Sequence, residues 1–154
     1  MAVKKARFSA DLGKHAKAGL DSSILIYHLE DIEPYSELTE AAFTAIARGS
    51  LEAVWSTITA AELLTGPFAA GKPDQIVAFE RFIFSFANAV VVPPSYSIAK
   101  EAARLRGKYR LRTPDALLIA TTLDQGANAF ITNDMKLRKL KSEGIVVMVL
   151  DDYV

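Results

Sequence analysis

Five short apolar runs alternate with helix-period segments from about Lys17 to the end of the chain, and that alternation excludes most folds. The runs cover residues 18–21, 53–58, 90–92, 129–131 and 145–149, and their Val, Ile, Phe and Trp content is that of β-strands. Strands joined through helices pair in parallel, and a parallel sheet has to be covered on both faces. The expectation is an α/β chain: a three-layer α/β/α sandwich around a mainly parallel five-stranded sheet. With 154 residues, 51 % of them hydrophobic, the chain is long enough to bury a real core as one domain.

The punctuation between the runs places the helices. Ser22 or Ser23 caps a first helix to about residue 30, and Pro34 closes its turn. Leu38, Ala42 and Ile46 recur at helical spacing, with an end near Gly49. Thr59 opens a helix after the second strand, and Gly66-Pro67 and then Gly71-Lys72-Pro73 break the chain. Residues 74–87 form a strongly apolar helix with Ile76, Phe79, Ile83 and Phe86 on one side and Val77, Phe82 and Phe84 elsewhere. Ile98, Ala102, Leu105 and Tyr109 make another stripe; Thr113-Pro114 then supplies N-cap and N1 of a helix running to Gly126. A short basic helix covers 134–141. Residues 1–15 are basic and aperiodic, so a flexible arm and a frayed helix fit equally well. The division expected is a basic extension over 1–16 and a domain over 17–154. Lys4, Lys5 and Arg7 are not followed by the apolar stretch of a signal peptide, and no run approaches the roughly 18 apolar residues that span a membrane. The chain reads as cytoplasmic.

Four acids stand at strand-to-helix junctions of this pattern: Asp21, Glu62, Asp115 and Asp134. In an open α/β sheet such junctions gather at one edge, where ligands bind. Each acid alone also reads as a helix-start residue, and Thr59-x-x-Glu62 as a capping box. Together, in apolar surroundings, they point elsewhere. Two carboxylates about 4 Å apart repel by roughly 4 kcal/mol at an effective dielectric near 20, so a cluster of four calls for divalent cations. The chain has no cysteine and only His15 and His28 as histidines, which rules out thiolate and three-histidine zinc sites and leaves oxygen ligation by Mg²⁺ or Mn²⁺.

The segments Leu20-Asp21-Ser22-Ser23, Ile58-Thr59-Ala60-Ala61-Glu62-Leu63, Thr113-Pro114-Asp115-Ala116-Leu117-Leu118-Ile119-Ala120-Thr121 and Ile131-Thr132-Asn133-Asp134 carry a family resemblance. In order and approximate spacing, over about residues 17–150, the chain resembles PIN-domain ribonucleases, above all the toxin half of VapBC-type toxin–antitoxin pairs. The resemblance implies a metal-dependent endoribonuclease in which Asp21, Glu62, Asp115 and Asp134 hold Mg²⁺ or Mn²⁺. Asp21 and Asp115 would be the primary ligands, with Ser22 and Thr132 orienting carboxylates or water. It also implies an RNA substrate, an antitoxin partner and a homodimer. A non-catalytic PIN-like module that binds RNA or protein is the alternative. Two departures stand out: about 17 residues precede the first strand, and Met135-Lys136-Leu137-Arg138 lacks the further acid that often follows the fourth position.

Other features carry less. Gly66-Pro67-Phe68-Ala69-Ala70-Gly71-Lys72 has the spacing of a phosphate-binding loop, but Pro73 stands where a hydroxyl must reach Mg²⁺. Eighteen cationic residues balance eighteen anionic ones, so attraction to nucleic acid has to be local. Arg104, Arg106, Lys108, Arg110 and Arg112 lead into Asp115, and Lys136, Arg138, Lys139 and Lys141 follow Asp134. Solvated helix faces account for about half of them; the rest adjoin the acids, where phosphates would lie. The surplus phenylalanines of 74–87 predict a dimer surface.

Overall fold

The computed structural model describes residues 2–154. Its strands are β1 (Lys17–Leu20), β2 (Glu52–Ser56), β3 (Ala89–Val92), β4 (Ala129–Thr132) and β5 (Val146–Val149). They form one sheet in the order β3-β2-β1-β4-β5, with every pairing parallel. The helices are α1 (Ala2–Leu12), α2 (Ser22–Leu29), α3 (Ser36–Ala47), α4 (Thr57–Ala69), α5 (Pro73–Ser85), α6 (Tyr96–Tyr109) and α7 (Thr113–Asp124), with 3₁₀ segments at Met135–Glu143 and Leu150–Tyr153. No helix is long and apolar enough to cross a membrane among the described residues.

The strands divide their side chains between two cores with a period of two. Ala18, Leu20, Ala53, Trp55, Ala129, Ile131 and Met148 face a core that includes Ile24 and Leu25 of α2, Phe43 and Ile46 of α3, Leu63 of α4 and Ile83 of α5. Phe130, with Val92 and Val147 at the margin, faces the opposite core of α6 and α7, built on Ile98, Leu105, Ala116 and Ile119. The sheet is thus covered on both faces, as parallel pairing requires. Gly19 of central β1 is what lets α7 lie close: a Cβ there would sit 1.9 Å from Thr122 Oγ1.

Several local expectations need correction. The chain before β1 is no flexible arm. Phe8 of α1 is fully buried, Leu12 joins the same core, and the Phe8 ring meets Tyr153 edge-on at 5.0 Å. Tyr153 OH donates to Asp11 Oδ2 at 2.8 Å, while Lys4 and Arg7 donate to the carbonyls of Val154 and Asp152. One apolar contact every four residues is too sparse a period to stand out among lysines. Thr59 does not open α4. Ser56 does, accepting from Ile58 N at 3.0 Å, and Thr59 lies in the first turn, its buried hydroxyl without a hydrogen-bond partner. Pro67 lies inside α4 and does not break it; its fixed φ is helical, and the missing N–H costs one bond near the end. The sequence resembling a phosphate loop is therefore partly helix. At α7 the N-cap is Arg112, one residue before Thr113.

The phenylalanine surplus of α5 is smaller than its pattern predicts. Phe82 and Phe86 pack partly buried into an aromatic cluster with Phe43 and Trp55, Phe82 lying 5.3 Å from Phe43 and 5.0 Å from Phe86. Trp55 Nε1 donates to Ile83 O at 2.9 Å and ties α5 to β2. Phe84 remains 55 % exposed, and Val77 of the same helix and Phe68 of α4 are exposed as well. His28 stacks on Phe43 at 4.3 Å, and burial lowers its pKa. It is a packing residue.

Candidate functional site

The strand order reverses between β1 and β4: β2 and β3 extend the sheet one way from β1, β4 and β5 the other. Strand ends diverge at such a point and leave a crevice at their carboxyl edge. Asp21 follows β1 directly, Thr132 ends β4, and Asp21 N donates to Ile131 O at 2.9 Å across the junction. Asp134 begins the 3₁₀ segment after β4. Helix α4 leaves β2 at the same edge, and α7 returns along the sheet so that its first turn, with Asp115, meets that edge. All four acids line one cleft of about 390 Å³, together with Ser22, Ser23, Ile26, Tyr27, Arg112 and Asn133.

The four are not equivalent. Asp21 occupies the N-cap position of α2, yet its carboxylate makes no capping bond; it accepts from Thr132 Oγ1 at 2.7 Å instead. Thr132 Oγ1 in turn accepts from Asp134 N at 3.0 Å, so one hydroxyl ties the first acid to the backbone of the fourth. Glu62 accepts from Ser22 Oγ at 2.8 Å. The capping-box role is excluded, since Thr59 is no cap. Glu62 is also exposed, not sunk in its apolar segment: the helical period turns Leu63 to the core and Glu62 outward. Asp115 is 12 % exposed and accepts from Arg112 Nε at 3.1 Å. Asp134 does serve as a cap, its Oδ1 accepting from Lys136 N at 2.9 Å. The helix-start reading therefore describes Asp134, fits Asp115 and Asp21 in position only, and fails for Glu62.

Burial pushes the Asp21 carboxyl up to about 6, with the charges of Asp115 and Glu62 adding to the shift and the Thr132 hydrogen bond opposing it. Desolvation leads, and like-charge repulsion is the smaller contribution. Among the described residues Arg112 is the one cationic side chain lining the cleft, and its bond to Asp115, with the charges of Glu62 and Asp134 beyond, raises its own pKa. Among the described residues no three acidic or histidine side chains are gathered tightly enough to enclose an ion as they stand. Arg112 engages Asp115 and Ser22 holds Glu62. The donor set nevertheless fits a hard cation: carboxylates and hydroxyls only, with Asp21 desolvated among like charges. A divalent ion would relieve that strain, and release of one exposed arginine bond would free Asp115 to share it.

Part of the two cationic runs is committed elsewhere: Arg104, Arg106 and Lys108 of the first, Arg138 of the second. Arg104 pairs with Glu101 and Glu143, Lys108 with Glu143 at 2.9 Å, and Arg138 with Asp152 at 2.5 Å. Arg106 Nε donates to Leu111 O at 3.2 Å. Sequence reasoning did not single out Ser23, Tyr27 and Asn133 as cleft residues. The available signal was the spacing of Ser23 and Tyr27, one helical turn apart just after Asp21.

The PIN domain family pattern matches residues 19–143. No curated protein is detectably similar. Among solved structures, VapBC2 from Rickettsia felis, bound to a DNA fragment from its promoter, superposes with a TM-score of 0.67 at 17 % identity, covering 86 % of this chain and 98 % of that one. VapBC-1 from nontypeable Haemophilus influenzae gives 0.62 at 19 % identity, over 88 % and 98 % of the two chains. A toxin–antitoxin complex from Klebsiella pneumoniae gives 0.60 at 22 % identity, over 84 % and 95 %. At these identities the likeness is one of fold.

Proposed function

The chain belongs to the PIN domain family, and from that premise we propose that it is a metal-dependent endoribonuclease acting in the cytoplasm as the toxin of a toxin–antitoxin pair. The observation that carries this reading is the cleft itself: four carboxylates, one exposed arginine, and an Asp21 carboxyl raised to about 6 among its neighbours. Asp21 and Asp115 would hold Mg²⁺ or Mn²⁺, with Glu62 and Asp134 completing the acidic site. When bound, such an ion polarises a phosphoryl oxygen and lowers the pKa of the water that attacks phosphorus. Thr132 keeps Asp21 aimed into the cleft through its 2.7 Å bond, and Ser22 does the same for Glu62. Arg112 can leave Asp115 for a phosphate, a move its 76 % side-chain exposure permits. The catalytic unit is taken as residues 17–154, with α1 as an accessory helix packed on it.

An antitoxin partner is proposed because the similar structures named above are toxin–antitoxin complexes. A homodimer burying the outer face of α5 is proposed from exposed Val77 and Phe84; light scattering at micromolar protein should give twice the mass of one chain, and a monomer would remove it.

The test is RNA hydrolysis with Mn²⁺ or Mg²⁺ and with EDTA, for wild type and Asp115→Asn. Wild type should cleave only with metal, and Asp115→Asn should lose about 100-fold or more while remaining folded. Full activity in Asp115→Asn at saturating Mn²⁺ would rule out its role. RNA binding without any metal-dependent cleavage would favour a non-catalytic PIN-like module.

A further inference from the structure

The face that α2 turns to the cleft does not end at the acids. Ser23 and Tyr27, at i and i+4, continue it, and Tyr27 stands six residues beyond Asp21, about 9 Å along the helix. The Tyr27 ring lies flat on that of Tyr35, centroids 4.7 Å apart and planes within 12°. Tyr35 is itself anchored, its hydroxyl donating to Asp151 Oδ1 at 2.7 Å. Asp151 is fixed from the far side: its N–H donates to Asn133 Oδ1 at 2.8 Å, and Asn133 Nδ2 reaches Asp151 Oδ1 at 3.4 Å. Asn133 lines the same cleft and immediately precedes Asp134. The chain of contacts therefore starts at Asp134, passes through Asn133, Asp151 and Tyr35, and ends on a half-buried aromatic ring in the cleft wall.

Packing alone would account for two tyrosines between α2 and the turn before α3. It does not account for the position of Tyr27 in the wall of the cleft that holds the four acids, or for a backing ring tied through Asp151 to Asn133 of the same cleft. Tyr27 is pre-organised, so a planar ligand meeting it loses little side-chain freedom on binding. Flat, uncharged and within one nucleotide's reach of the acids, the natural ligand is a base. We propose that Tyr27, backed by Tyr35, is a nucleobase subsite that stacks one unpaired base beside the phosphate held at the acids. The subsite rests on the nuclease reading above and adds to it one contact of this chain's own, a stacking platform for a single base beside the acids. A base paired within a duplex keeps both faces stacked and cannot reach the ring. Stacking is tolerant of base identity, so the subsite selects unpaired structure ahead of sequence. Tyr35 acts through Tyr27 and is a positioning residue.

The experiment is steady-state cleavage of a single-stranded RNA oligonucleotide in Mn²⁺ by wild type, Tyr27→Phe, Tyr27→Leu and Tyr35→Leu. It is paired with a scan of single abasic nucleotides on both sides of the cut. Tyr27→Leu should raise KM about 5- to 100-fold with a smaller change in kcat, Tyr27→Phe should keep the wild-type KM, and Tyr35→Leu should fall between. In wild type, an abasic nucleotide at one position beside the cut should raise KM by the same factor; in Tyr27→Leu that position should cost nothing further. A folded Tyr27→Leu with wild-type KM overturns the subsite while leaving the nuclease intact. So does an abasic scan of wild type that finds no sensitive position, a measurement needing no variant. A wild-type protein that cleaves no RNA overturns both readings together.

Discussion

Two carboxylates of this molecule, Glu143 and Asp21, have opposite surroundings. Glu143, at the end of the 3₁₀ segment after β4, is 10 % exposed and takes hydrogen bonds from Arg104, from Tyr109 OH at 2.5 Å and from Lys108 at 2.9 Å. Those bonds, led by Arg104, hold its carboxyl down to about 2. Asp21 has one hydroxyl partner, no cation in contact, and a carboxyl pushed up to about 6. Glu143 accepts from three donors and joins α6 to the segment beyond β4, a structural clamp. Asp21 is left with like charges, which the fold tolerates only where the rest of the chain is stable enough to hold it. Mismatched groups of this kind mark functional sites more often than matched ones.

The comparison breaks if the paired isosteric variants fail to move stability in opposite directions. In EDTA at neutral pH, Glu143→Gln should lower stability by about 1–2 kcal/mol, because two ion pairs and a tyrosine bond lose their acceptor charge. Asp21→Asn should raise it by about 1 kcal/mol, by removing a desolvated charge while keeping an acceptor for Thr132. The pH profiles separate them further. The Glu143 carboxyl is depressed on folding, from 4.5 to about 2, so its contribution is present above the unfolded value and lost as pH falls through that window. The Asp21 carboxyl is raised on folding, from 3.8 to about 6, so its contribution has the opposite sign: stability is gained as pH falls from about 6 toward 3.8. Urea unfolding across this range should show Glu143→Gln flattening the acid-side loss and Asp21→Asn removing the gain. Parallel profiles for the two variants would contradict the contrast.

Much of the sheet was legible in the sequence because each strand is a brief apolar run between polar turns, and parallel pairing follows from the helices between them. The shared edge of Asp21 and Asp134 was legible for the same reason, since each follows a strand; Glu62 lies inside α4 and Asp115 follows α6, so they reach the cleft without standing at the strand-to-helix junctions expected of them. What escaped is what depends on contacts distant in the chain. Helix α1 is secured by Phe8, Leu12 and the carbonyls of the last residues, none of which has a local signature. The α4 start shifted from Thr59 to Ser56 because either hydroxyl could cap, and only packing turns Thr59 inward. Glu62 looked buried from its neighbours, whereas a helix places adjacent residues on different faces. The commitment of Arg104 and Lys108 to Glu143 and of Arg138 to Asp152 was likewise invisible, as partners lie up to 39 residues apart. Tyr27 was overlooked because stacking on Tyr35 requires α2 and the turn before α3 to meet.

The most direct test of the central claim is Mn²⁺ binding followed by electron paramagnetic resonance, with wild type, Asp21→Asn and Glu143→Gln titrated at neutral pH. The account predicts saturable binding by wild type and by Glu143→Gln with the same affinity, and a loss of about 10-fold or more in Asp21→Asn. Equal Mn²⁺ affinity in Asp21→Asn, or no saturable binding by wild type at millimolar Mn²⁺, would contradict it.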